Sequence, residues 1–169
     1  GSETSGHVIS DNSVSNIGDK GEPTGILLLQ ANGTVDNNTI DNVFVGIGTN
    51  YIDSATLAPT VTITNNTIGD ATSPNVDVGM NLSGLDAGSV IGGSGAGNTI
   101  NTTGTFGGFA NNVGIIVQLS EGDVTVDSNM ITSDGDDAGI WMLSNVDPGN
   151  PVVVSNNMLS SSGSGVTNF

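Results

Sequence analysis

Apolar residues along this chain come in short alternating bursts and never in long runs. VTIT at 61–64, VTVD at 124–127 and VVVS at 152–155 each lead directly into a second short word, NNTI, SNMI and NNML. Alternation with a period of two marks a strand that turns one face inward. The bursts are rich in β-branched residues and separated by Gly, Asn and Asp, so they predict strands with almost no α-helix. The 26 glycines would be costly inside helices.

The bursts align on one Asn per repeat: Asn12, Asn38, Asn66, Asn98, Asn129 and Asn157. The spacings run from roughly 26 to roughly 32 residues, the period of a solenoid coil with loops of variable length. Two places after each Asn stands an aliphatic residue: Val14, Ile40, Ile68, Ile100, Ile131 and Leu159. Three places before it come Ile9, Val35, Ile63, Gly95, Val126 and Val154, and five places before it His7, Gly33, Val61, Gly93, Val124 and Val152. These rows predict one inward face on each side of a corner.

A further word follows each Asn after a variable loop: GILL from Gly25, GIGT from Gly46, GMNL from Gly79, GIIV from Gly114, GIWM from Gly139 and GVTN from Gly165. Each coil thus carries three short strands. The expectation is an all-β, right-handed parallel β-helix of about six coils, residues 1–169 forming one domain, with Gly1 and Ser2 read as a cloning remnant. The Asn row is expected to form a ladder at one corner, each amide bonding the one above it and each Asn taking the positive φ that the corner needs. The run GGSGAGNT has no Lys of a phosphate loop and opens no helix, and reads as a bulged corner of the fourth coil.

VTITNNTI followed by VGM, and VTVDSNMI followed by AGIW, resemble the right-handed parallel β-helix repeats of the pectin-lyase-like superfamily. SVIGGSGAGNTI, residues 89 to 100, is similar to repeats of large secreted bacterial and archaeal surface proteins. The resemblance covers essentially the whole chain. It implies a secreted or cell-surface location and, because this fold serves lyases, hydrolases, adhesins and spacers alike, it leaves the activity to be argued from the site residues.

Charge narrows those readings. One Lys or Arg stands against 17 Asp and Glu, a formal net charge of −16. Such a chain repels nucleic acid and other polyanions, and no apolar run is long enough to insert in a membrane. The resemblance implies that a lyase would need Arg or Lys to handle a uronate, yet there is no Arg and the single cation, Lys20, sits in a Gly-rich loop. The Asp136–Asp137 pair matches one step of the related hydrolases, but no His or basic motif follows it, and His7 precedes it. The positions expected to face outward on the third strand, Leu27, Gly48, Asn81, Ile116, Trp141 and Thr167, hold no acid. The expectation is a non-enzymatic module: a rigid spacer, adhesin segment or assembly subunit.

Three other readings stay open. Glu121, Asp123, Asp134, Asp136 and Asp137 gather oxygen ligands in Gly-containing loops and are candidates for calcium, although they match no EF-hand or nonapeptide pattern. Calcium-dependent carbohydrate binding or chemistry would use them. Ile116 and Trp141, on adjacent coils, are candidates for a carbohydrate or protein contact, with Phe106 and Phe109 in a neighbouring insertion as candidate cover. Thr39, Thr67 and Thr99, with Thr34, Thr62 and Thr125, would suit an ice-binding face, but Ser94 and other residues interrupt the rows. Finally, unpaired strands at the two ends suggest a segment of a longer solenoid or a unit that associates end to end.

Overall fold

A computed structural model describes residues 6–17, 23–50, 58–72, 75–103, 112–120, 122–133, 139–143 and 151–161. Its strands follow one another in triplets. The first coils hold β1 (His7–Ser10), β2 (Ser13–Ser15), β3 (Thr24–Leu29), β4 (Gly33–Asp36), β5 (Thr39–Asp41) and β6 (Val43–Asn50). The middle coils hold β7 (Val61–Thr64), β8 (Thr67–Ile68), β9 (Val76–Ser83), β10 (Ser89–Gly92), β11 (Thr99–Thr102) and β12 (Val113–Gln118). The last hold β13 (Val124–Asp127), β14 (Met130–Ser133), β15 (Ile140–Leu143), β16 (Val153–Ser155) and β17 (Met158–Ser161).

Every third strand pairs in parallel. Sheet A runs β1-β4-β7-β10-β13-β16, sheet B β2-β5-β8-β11-β14-β17, and sheet C β3-β6-β9-β12-β15. The architecture is a parallel β-helix of about six coils, with no helix among the described residues. The GVTN word at Gly165, expected as a sixth strand of sheet C, lies outside the described residues.

The interior is built from the rows read in the sequence. Ile40, Ile68 and Ile100 are fully buried in sheet B, in register with Val14 on one side and Ile131 and Leu159 on the other. Burying an aliphatic side chain of this size stabilises by about 1.5–3 kcal/mol, so the stacked row is a principal source of cohesion.

The fourth coil departs from the expected register. Its strand in sheet A is Ser89–Gly92, with Ile91 paired to Ile63 and Val126, so Ser89 and Ile91 occupy the inward positions expected for Gly93 and Gly95. Residues 93–97 are a loop inserted before Asn98. Gly92 has φ +89°, and a Cβ there would fall 2.0 Å from the Asp127 carbonyl oxygen; one on Gly97 would fall 1.8 Å from that of Ser128. The glycine run is a bulged corner, as expected: at Gly92 and Gly97 the next coil leaves no room for a side chain, while Gly93 and Gly95 stand in open space at φ +125° and +74°.

The corner chemistry is also redistributed. Positive φ falls on the residue before five of the six ladder asparagines: Asp11, Asn37, Asn65, Ser128 and Asn156 have φ between 52° and 60°, while Gly97, before Asn98 in the bulged coil, is not left-handed. The ladder asparagines themselves are not left-handed, contrary to the expectation. The residue before the ladder turns the chain, which leaves the ladder Asn free to point inward.

Candidate functional site

The Asn corner can be assembled bond by bond. The backbone N–H and the Nδ2 of Asn66 both donate to Asn98 Oδ1, at 2.9 Å each. The same Nδ2 lies 2.9 Å from the Val35 carbonyl oxygen of the preceding coil and 2.8 Å from that of Thr64 in its own. Asn12, Asn38, Asn98 and Asn129 repeat the donation to the next coil's Oδ1, the last of them reaching Asn157. Asn38, Asn66, Asn98 and Asn129 are 1% exposed. Buried amides are tolerated here because each finds donors and acceptors one coil away.

A second ladder was not anticipated. Asn42 Nδ2 donates to Asn16 Oδ1, and Asn75 Nδ2 to Asn42 Oδ1, at the corner between sheets B and C. Asn16 and Asn42 take positive φ themselves. Their common offset, four places after Asn12 and Asn38, was the signal available in the sequence.

Carboxylates join these corners. Asp36 Oδ1 accepts from Thr64 Oγ1 at 2.7 Å and from Asn65 Nδ2 at 2.8 Å. Asp127 Oδ1 accepts from Ser155 Oγ at 2.7 Å and Asn156 Nδ2 at 2.8 Å, while its Oδ2 accepts from Ser128 Oγ. Donation to the ionised form holds both carboxyls below the ordinary Asp range: Thr64 first for Asp36, Ser155 first for Asp127. These acids act as clips between coils.

Glu121, Asp134, Asp136 and Asp137, expected to gather calcium ligands, lie outside the described residues. Asp123 is described and exposed. Among the described residues no three His, Cys, Asp or Glu side chains group to hold a metal ion. His7 stands exposed on β1, paired with Gly33, and Lys20 lies outside the described residues.

The outward row of sheet C is in the register expected: Leu27, Gly48, Asn81, Ile116 and Trp141 pair in succession. Ile116 is only 5% exposed, because it packs with Phe44, Val45, Val78 and Val113 in a second apolar cluster on the outside of the sheet. Trp141 and Leu143, partly buried, pack against that cluster. The candidate contact pair is therefore adjacent, with Ile116 directed into the cluster. Phe106 and Phe109 lie outside the described residues.

Beside the cluster runs an open groove of about 280 Å³ floored by Leu27, Phe44 and Val45. Its polar side is made of hydroxyls and amides: Gln118 Nε2 donates to Asn81 Oδ1 at 3.0 Å, and Ser83 N–H donates to Thr49 Oγ1 at 2.8 Å. None of its described lining residues is ionisable. Such a surface offers neutral hydrogen bonds and apolar contact.

Models of known protein families, curated proteins and solved structures yield no match to this chain.

Proposed function

We propose that this chain is a non-enzymatic structural module of the secreted or cell-surface kind, a rigid spacer or assembly unit related to the pectin-lyase-like superfamily. The observation that carries the reading is the use made of polar side chains. Asp36, Asp127 and the two Asn ladders spend their hydrogen bonds on the adjacent coil, so the chemistry is directed to cohesion along the axis. A body held this way resists bending, because flexing the axis must open several bonds in the same coil junction.

The test is a glycan array probed with and without calcium, alongside small-angle scattering. The expected result is no saturable glycan binding in either condition and a scattering profile of one stiff rod. Calcium-dependent glycan capture, or release of shortened or unsaturated sugars, would replace this reading with a carbohydrate-directed one.

A second reading, ordering of water at an ice surface, draws support from the corrected register of the fourth coil. Val90, not Ser94, occupies the outward position between Thr62 and Thr125, so Val8, Thr34, Thr62, Val90, Thr125 and Val153 form an unbroken β-branched row on sheet A. Thermal hysteresis or inhibition of ice recrystallisation, abolished by Thr62→Lys, is its expected signature. Their absence in the wild-type chain would dismiss it.

A further inference from the structure

We propose that the solenoid carries one internal seam, the junction between its third and fourth coils, which opens along sheets A and B while sheet C holds as the hinge. The inference goes beyond the structural-module reading: it locates where such a module yields.

Three observations meet at this junction. The first is the backbone pairing of sheet A. β4 pairs with β7 from Gly33–Val61 through Asp36–Thr64, and β10 pairs with β13 from Ser89–Val124 through Gly92–Asp127. Between β7 and β10 only Val90–Thr62 and Ile91–Ile63 remain. At one end of β7, the Val61 N–H donates to Ser89 Oγ at 3.2 Å, where the corresponding Gly33 N–H donates to the Thr60 main-chain oxygen. At the other end, the Asn65 N–H reaches the Ala96 oxygen inside the inserted loop, where the Asn37 N–H finds that of Thr64 in a strand.

The second observation is a missing clip. Asn37 Nδ2 ties the second coil to Asp11 of the first, Asp36 accepts from Thr64 and Asn65 of the third, and Asp127 accepts from Ser155 and Asn156 of the sixth. In the fourth coil the equivalent positions, facing Thr64 and Asn65, are Gly92 and Gly97. They have no side chain to give. The junction of coils four and five has no such clip either, but there β10–β13 and β11–β14 pair along their full length and the Gly93 N–H donates to the Asp127 oxygen at 2.8 Å.

The third observation is the brevity of β8. Thr67–Thr99 and Ile68–Ile100 are the pairs it gives to β11. It is equally short toward β5, yet coils two and three keep the full β4–β7 pairing and the Asp36 clip.

Sheet C differs. β9 and β12 pair from Val78–Val113 to Ser83–Gln118, the Gln118–Asn81 bond joins the same two coils outside, and the Gly84 N–H donates to the Gln118 oxygen at 3.0 Å. An opening that breaks the sparse bonds of sheets A and B therefore leaves this side joined. What resists it is the buried Asn66–Asn98 bond with the stacked Ile63–Ile91 and Ile68–Ile100 pairs. The open form is a minor one, and the average shape stays a rod. Local opening follows the density of such bonds.

The experiment is amide hydrogen exchange of the 169-residue chain, followed by NMR in urea below the unfolding transition. Fraying from the two ends alone would leave the middle coils best protected. The seam reverses that order. The Asn65 and Thr99 N–H groups cross it in sheets A and B, and should be at least about tenfold less protected than Thr67, which bonds coil two, and Met130, which bonds coil four. Gly84, crossing in sheet C, should match the latter two. Replacing residues 93–97 by a single Asn, the residue of the regular corners, should raise Asn65 and Thr99 to the level of Thr67. Ser89→Ala removes the acceptor of the Val61 N–H and should lower Val61 and Asn65 further with Met130 unchanged. Far-UV circular dichroism checks that each variant is folded; the wild type and Ser89→Ala decide the matter if the shortened loop does not fold. Asn65 and Thr99 as protected as Thr67 and Met130 would overturn the seam, as would a folded Ser89→Ala chain with unaltered exchange. Gly84 exchanging together with Asn65 and Thr99 would overturn the hinge. Glycan capture would replace the structural-module reading without changing the order of exchange, so the two can fail separately.

Discussion

Two regions of each coil, the corner between sheets A and B and the strand in sheet C, solve the same stacking problem by opposite means. At the corner between sheets A and B, a side chain is required: the ladder Asn fills the interior and bonds both neighbouring coils. At one position within the strands of sheet C, a side chain is forbidden. Gly46, Gly79 and Gly114 form a row in which an added Cβ would lie 2.4–2.5 Å from the next glycine's carbonyl oxygen or the Cγ2 of Ile68, Ile100 or Ile131. None of the three takes positive φ, so close approach and not backbone freedom selects glycine. The comparison shows that a repeated residue can be selected by the bond it makes or by the space it leaves.

The sharpest way to break the comparison is Asn66→Ala. It strands the Asn38 backbone N–H and takes a donor from two carbonyl oxygens in a buried site, while Asn38 Nδ2 keeps the Ile9 and Asp36 oxygens; buried polar groups left unpaired cost about 1–3 kcal/mol each. Urea denaturation should show a loss of about 3 kcal/mol or more, whereas Asn12→Ala, at the solvated end, should lose under about 1 kcal/mol. Equal losses at the two positions would mean that burial does not set the ladder's value.

Next in size is Gly79→Ala, expected to cost about 1–3 kcal/mol by overpacking, since the obstacles include the Gly114 carbonyl oxygen at 2.4 Å. Gly139→Ala sharpens the test within the same row. Its nearest neighbour is a Leu159 side-chain carbon at 3.1 Å, which can move aside, so a loss of no more than about 0.5 kcal/mol is expected on thermal unfolding. A comparable loss at both sites would argue against steric exclusion.

A smaller effect separates the turning residue from the ladder residue. Asn65 has φ +55°, and Asn65→Val should cost about 1–2 kcal/mol from left-handed strain, while Asn65→Gly should remove mainly the bond to Asp36. Comparison of the two denaturation midpoints checks this, with the Val variant the less stable.

The smallest effect is the acid dependence of the coil clips. Because Asp36 and Asp127 are held below their ordinary range in the folded chain, their contribution is present above the unfolded Asp pKa of about 3.9. It is lost as pH falls through the folded values. Carboxyl-carbon titration by NMR should place both midpoints below those of unstructured Asp residues, and the paired variant Asp36→Asn with Asp127→Asn should unfold with a flatter pH profile at the acid end.

Much of this was legible because the ladder and aliphatic rows repeat both identity and offset. Ile40, Ile68 and Ile100 share a row two places after an Asn, and no local feature obscures it. The fourth coil misled because counting back from Asn98 lands in the inserted loop, whereas Ile91 was fixed by pairing with Ile63 and Val126. The sheet C groove was less legible still. Its outward row could be counted, but burial of Ile116 depends on Phe44, Val45, Val78 and Val113, brought together from three coils.

By itself, then, the sequence determined the strand type, the number of coils and the ladder, since period-two alternation and a repeated Asn are local chemical facts. Tertiary structure decided which residue bears the positive φ, where the fourth coil is bulged and why Gly46, Gly79 and Gly114 leave no room for a side chain. The physical reason is that in a parallel solenoid each residue's principal partners sit one coil away. A contact of 1.8 Å between a would-be Gly97 Cβ and the Ser128 oxygen exists only once two coils, separated by a loop of arbitrary length, are laid one upon the other.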